Sequence, residues 1–147
     1  MRTFCASLDI FTDGACQGNP GEAAVGIVIK ENSTTIKEIS LTIGRATNNI
    51  AEYCAVIFAL KEALSLKAQD VCIFCDSQLI CYQVIGHYKI KEDHLKDLNK
   101  EVQELRRQFR SFKIQHIPRT ENKRADQLAT HALKEKQPPV VVASVPQ

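Results

Sequence analysis

Apolar positions in the first third of the chain fall in short runs without helical spacing. Residues 7–13 (SLDIFTD), 23–30 (AAVGIVIK) and 35–43 (TIKEISLTI) read as strands. The charged and small residues at 31–34 make a turn between the last two, so a three-stranded antiparallel meander is expected. From residue 48 the pattern changes. Ala51, Ala55, Val56, Ala59, Leu60 and Ala63 recur on one helical face, predicting a helix over 48–67 with Asn48 as its cap. VCIFC at 71–75 is a short, wholly apolar run, as a central parallel strand requires. A helix over 77–85 follows and ends at Gly86. Leu95, Leu98, Val102, Leu105 and Phe109 give a packing face to a helix over 92–109. FKIQHI at 112–117 alternates as a strand, and a last helix over 122–136 carries Ala125, Leu128, Ala129 and Ala132. Antiparallel strands followed by strand–helix units predict an α/β fold: a mixed five-stranded central sheet, three antiparallel strands then two parallel ones, with helices on both faces. Residues 1–136 then form one domain. The tail 137–147, broken by Pro138 and Pro139, has a VVVASV run apolar enough to dock on it.

Four carboxylates interrupt this apolar pattern. Residues 10–29 read IFTDGACQGNPGEAAVGIVI, in which the first strand is expected to end on Asp13 before a glycine-rich stretch. The plain reading is a hairpin turn. The chemical one is that a costly buried carboxylate is compensated by a partner charge or a metal. Glu52 lies in the first turn of its helix, three and four residues before Ala55 and Val56, and so falls on the buried stripe. Asp76 directly follows VCIFC, and Asp126 shares a helix side with Ala129 and Leu133. Ligands of open α/β sheets bind at the carboxyl ends of strands, where two adjacent Asp-terminated strands would set carboxylates side by side. Such groups repel unless cations hold them, and hard divalent ions with oxygen ligands do so. A pair of ions can clamp the attacking and leaving oxygens of a phosphodiester. Spacing alone leaves open whether the four acids meet.

Composition narrows the classes. The 147 residues are 44% hydrophobic and 24% charged, which suits one soluble globular domain. No apolar run approaches the roughly 18 residues of a membrane span. The opening MRTFCASLDIF has no apolar signal segment, so a cytoplasmic location is expected. The six cysteines, Cys5, Cys16, Cys54, Cys72, Cys75 and Cys81, are scattered over strands and helices, unlike a secreted disulfide scaffold. Cys72 and Cys75 form a CxxC, but within a strand they face opposite ways, so free thiols are expected rather than a zinc or redox site. Net charge is only +2, yet residues 106–136 hold nine Lys or Arg against three Asp or Glu. That basic end suits a polyanion, or is simply a solvated helix face.

Four blocks in order, TDGACQGNPG at 12–21, ATNNIAEYCAVIFAL at 46–60, CDSQ at 75–78 and HIPRTENKRADQLA at 116–129, each bearing one of the acids, resemble the signature blocks of ribonuclease H, type 1. The resemblance covers about residues 7–136 and implies the ribonuclease H-like fold. It implies an endonuclease that cuts the RNA strand of RNA–DNA hybrids with two Mg²⁺ ions, or Mn²⁺, leaving 5′-phosphate and 3′-hydroxyl ends. By the motifs, Asp13, Glu52, Asp76 and Asp126 would be catalytic metal ligands. Asp126 would be the least tightly held, because helix ends move more than strand ends. His116, ten residues before Asp126, matches the family's mobile histidine, and Arg119 matches the arginine of an HxPR motif; either would help product or metal leave. A structural histidine at a strand end is the plain reading of His116.

Cys16, Asn19, Asn48, Asn49 and Gln78 match substrate-contact positions. Short amides there would reach the 2′-hydroxyls that mark RNA. Gly14, Gly18 and Gly21 would let that loop approach the nucleic-acid backbone. The implied partner is a hybrid duplex, bound by a monomer with no obligate protein partner and no membrane. One departure stands out: GHYKIKEDHL, with only Lys89 and Lys91, replaces the basic helix and loop of longer members. This is therefore a short form without the basic protrusion, and a weak, salt-sensitive grip is expected. Arg106, Arg107, Arg110 and Lys113 would be a substitute handle, or merely solvated. The alternatives are a hybrid-binding module of the same fold that has lost catalysis, and a resolvase- or transposase-like nuclease, which the DGACQGNPG and TNNIAE blocks oppose.

Overall fold

The computed structural model describes residues 7–135. Its elements are β1 (Ser7–Gly18), β2 (Gly21–Glu31), β3 (Thr34–Ala46), α1 (Asn48–Ser65), β4 (Asp70–Cys75), α2 (Gln78–Ile85), α3 (Asp93–Arg106), β5 (Ser111–His116) and α4 (Lys123–Lys134). The sheet order is β3-β2-β1-β4-β5. β1, β2 and β3 pair antiparallel, and β4 and β5 add parallel to β1. This is the mixed five-stranded sheet that the sequence predicts. The expected docked tail, 137–147, lies outside the described residues, as does Cys5.

β1 departs from expectation. It runs past Asp13 to Gly18, pairing from Gly14↔Val25 to Gly18↔Gly21, so Asp13 lies within a strand rather than at its end. Backbone pairing needs no side chains, so a Gly-rich stretch that resembles a turn can continue a hairpin arm. The turn itself is Asn19–Pro20, joined by a cis peptide and entered through Gly18 at φ +93°.

β2 is buried on both faces, and its alternation separates two layers. Ala23, Val25, Ile27 and Ile29 join the large core around α1. On the other side Ala24 packs with Ala132 and Leu133, and Val28 with Ala125 and Leu128, all from α4. Gly26 lies in that second layer, where a β-carbon would fall 2.0 Å from the Ala125 carbonyl oxygen, so α4 rests directly on the backbone of β2.

α1 is buried more completely than a one-sided stripe predicts. Tyr53, Cys54, Ile57 and Phe58 are buried as well, because α3 covers the side that the sheet does not. The Tyr53 hydroxyl in this layer donates to Gln83 Oε1 at 2.7 Å and accepts from Asn99 Nδ2 at 3.3 Å. The cap of α1 is Thr47, whose Oγ1 accepts the Ile50 N–H at 3.2 Å; Asn48 is instead the first helical residue. α3 stops at Arg106, with Phe109 buried in the turn beyond. Gly86 ends α2 in the left-handed conformation at φ +99°, as its position predicts.

Candidate active site

Parallel pairing sets the site. Thr12 of β1 is level with Cys75 of β4, so the next residue of each strand path, Asp13 and Asp76, emerges side by side. Glu52 joins them as the fifth residue of α1, one position beyond the first turn in which the sequence pattern placed it. One carboxylate oxygen from each of Asp13, Glu52 and Asp76 lies within 4.8 Å of the others. Glu52 reaches this point because Gly14 has no side chain. The Gly14 N–H donates to Glu52 Oε1 at 2.6 Å, and a β-carbon on Gly14 would fall 2.4 Å from the Ala51 carbonyl carbon. Gly14 therefore serves the protein's own packing rather than a substrate loop. So does Gly21, where a β-carbon would lie 1.9 Å from the Gln17 carbonyl oxygen.

Asp126 enters from α4, on the opposite face of the sheet. It is exposed rather than in the apolar setting that its helix position suggests, and it stands outside the 4.8 Å triad. Its carboxylate is still close enough to add to the proton affinity of Asp13. Burial, then the negative charges of Glu52 and Asp76, push the Asp13 carboxyl up to about 9. Burial also raises Glu52 to about 8, reinforced by Cys75 and Asp76 and opposed by the Gly14 N–H. Without a counter-charge, both carboxyls give up their protons less readily than exposed acids do. Crowded hard oxygen donors that cannot all ionise alone fit a hard divalent cation, and the triad is positioned for metal binding.

The other expected residues fall into three places. His116 is the last residue of β5, level with Cys75, and is exposed. Arg119 is exposed at the start of a 3-10 turn, Arg119–Glu121, which the sequence reading did not foresee. Four of the substrate-contact candidates gather where the β1–β2 hairpin meets the start of α1. Cys16 Sγ donates to the Ala46 carbonyl at 3.2 Å, and Asn19 Oδ1 accepts the Asn48 N–H at 3.0 Å, with Asn49 next along. Gln78 stands apart, exposed at the start of α2, where its amide donates to the Tyr88 hydroxyl at 3.1 Å. The described cysteines Cys16, Cys54, Cys72, Cys75 and Cys81 are free.

One residue near the acids was missed. Asn122 immediately precedes α4, and its Nδ2 donates to Asp76 Oδ2 at 3.0 Å. The signal was its place four residues before Asp126, read only as a helix start.

Residues 11–132 match the family model described as reverse transcriptase-like. Ribonuclease HI of Halobacterium salinarum is 41% identical over 124 residues, covering 84% of this chain and 62% of that protein. Against mycobacterial relatives at 40% identity the chain spans only 35% of their length. Among solved structures, RNase H1 of Halobacterium salinarum superposes with a TM-score of 0.87 at 40% identity, covering 88% of this chain and 99% of that one. LC11-RNase H1 in complex with an RNA/DNA hybrid gives a TM-score of 0.83 at 37% identity, over 88% and 98% of the two chains. With four motif blocks, the sheet order and these likenesses in agreement, the chain belongs to the reverse transcriptase-like family and, within it, to the type 1 ribonucleases H.

Proposed function

We propose that the chain is an endoribonuclease that hydrolyses the RNA strand of RNA–DNA hybrids with two divalent cations, Mg²⁺ or Mn²⁺, leaving 5′-phosphate and 3′-hydroxyl ends. The observation that carries this reading is the triad of Asp13, Glu52 and Asp76, with ligand oxygens within 4.8 Å of one another. The naming of relatives as ribonuclease HI and the hybrid held by LC11-RNase H1 support the substrate class. Cations bound by the acids would activate the attacking water and neutralise charge on the departing 3′ oxygen. The chain's own residues do the rest. Asp13, Glu52 and Asp76 hold the ions, and Asp126 closes the site from α4. Cys16, Asn19, Asn48, Asn49 and Gln78 line the approach of the duplex, with amides suited to 2′-hydroxyls. His116 and Arg119, exposed on the rim, assist departure of product or metal. The protein acts as a monomer in the cytoplasm, and no helix among the described residues is long and apolar enough to cross a membrane.

The test is a strand-labelled hybrid incubated with Mg²⁺, Mn²⁺ or EDTA, beside single-stranded RNA, double-stranded RNA and double-stranded DNA. Metal-dependent cutting confined to the RNA strand of the hybrid is expected, with Asp13→Asn and Asp76→Asn abolishing cutting while the hybrid still binds. Binding without cutting in the unmodified protein would identify an inactive hybrid-binding module instead. Cutting of DNA would refute the substrate assignment.

A further inference from the structure

Asn at a helix start ordinarily bonds the helix's own free N–H groups. Asn122 makes no such bond, although it is only 2% exposed. Its Nδ2 forks instead, donating to the Thr12 carbonyl at 2.8 Å and to Asp76 Oδ2 at 3.0 Å. A carbonyl and a carboxylate only accept, so only the NH₂ end of the amide can face both. Oδ1 is left buried without a partner, which is costly for an amide oxygen. The Asn122 carbonyl meanwhile accepts the Asp126 N–H at 3.1 Å. One residue thus touches the strand position just before Asp13, the Asp76 carboxylate, and the helix turn that carries Asp126.

We propose that Asn122 is a positioning residue. Its amide fixes the Asp76 carboxylate and pins the start of α4 to β1, so that Asp13, Asp76 and Asp126 keep their spacing for cations. This rests on the reading that these acids hold divalent ions. A neutral double donor suits the role: aspartate would supply no donor and add a further negative charge, and lysine or arginine would compete with the cation. Second-layer groups that orient metal ligands typically change metal affinity or activity about 10- to 100-fold when removed.

Three substitutions test this, Asn122→Ala, Asn122→Asp and Asn122→Ser, beside Val28→Ala. Val28 packs under Ala125 and Leu128 of α4, so its truncation loosens that helix by a route other than Asp76. Mn²⁺ binding is measured by calorimetry, with melting temperature, the Mg²⁺ concentration for half-maximal cleavage, and kcat and KM for the hybrid. Asn122→Ala and Asn122→Asp are expected to raise the Mn²⁺ Kd and the half-activating Mg²⁺ by about 10- to 100-fold, with the KM for hybrid unchanged. Asn122→Ser, which keeps one donor and serves if the other two fail to fold, should fall between them and the unmodified protein. Val28→Ala should lose melting temperature and keep its Mn²⁺ affinity. Unchanged Mn²⁺ affinity in the folded Asn122 variants, or an equal loss in Val28→Ala, would overturn the proposal. An unmodified protein that binds Mn²⁺ yet cuts no hybrid would sink the nuclease reading, while the calorimetric comparison would still decide the role of Asn122.

Discussion

Gly14 and Glu52 are locked together: the Gly14 N–H donates to Glu52 Oε1 at 2.6 Å, and the space where a Gly14 side chain would stand is filled by the backbone of Ala51 and Glu52. Gly14→Ala must therefore push α1 off β1. The expected cost is about 1–3 kcal/mol, typical of overpacking, with Glu52 drawn out of the acid cluster. Urea denaturation and hybrid cleavage read the two effects separately. A Gly14→Ala protein of unchanged stability and activity would show that α1 yields without cost.

The acids should not be equivalent. Asp13 is buried within a strand, whereas Asp126 is exposed on the first turn of a helix. Asp13→Asn is expected to bring cleavage to background. Asp126→Asn should cost about 10- to 100-fold and be partly recovered at high metal concentration. Metal titrations of initial rate on the two variants make the comparison, and equal losses would remove the distinction.

The metal-free protein should weaken as pH rises. A carboxyl whose pKa is raised on folding binds its proton more tightly in the folded state. The stability it contributes is full below the unfolded pKa and is lost as pH climbs through the folded value. Asp13 moves from 3.8 to about 9 and Glu52 from 4.5 to about 8. In EDTA the melting temperature should accordingly fall between about pH 5 and pH 9. Saturating Mg²⁺ should shrink that fall, and Asp13→Asn should raise the metal-free value at about pH 8. A metal-free melting temperature that climbs through the same range contradicts the assignment.

Away from the site, Tyr53→Phe would leave Gln83 Oε1 without its donor under α3. Gln83 is 6% exposed, so a loss of about 1–3 kcal/mol is expected, with kcat intact. Thermal denaturation beside hybrid cleavage would expose any hidden coupling between this network and the acids.

Much of this was legible in the sequence because it follows from periodicity. Three antiparallel strands followed by two parallel ones, and helices on both faces, come from runs such as VCIFC and the parallel connection it implies; the order β3-β2-β1-β4-β5, which sets Asp13 beside Asp76, comes from the structure. What escaped depends on groups without a pattern. β1 continues to Gly18 because backbone pairs with backbone, so Gly14 and Gly18 read as turn residues although they lie in the strand. Thr47 and Asn48 are both good caps by residue type; in the structure Thr47 has the extended backbone of a cap and accepts the Ile50 N–H. Asp126 shares a helix side with Ala129 but projects from the first turn beyond the packed layer. The amide of Asn122 reaches a strand 110 residues earlier, which no local window reveals.

That 110-residue span also has a temporal consequence. During synthesis the strand bearing Thr12 and Asp13 leaves the ribosome long before the helix that must pin it. Contacts of such sequence separation are slow to close and close late. The hairpin, α1 and β4 can bring three acids together in a nascent chain, but the clasp between Asn122 and β1 waits for α4. Competence for chemistry thus depends on a contact of long sequence separation, which the local hairpin and helix contacts cannot replace.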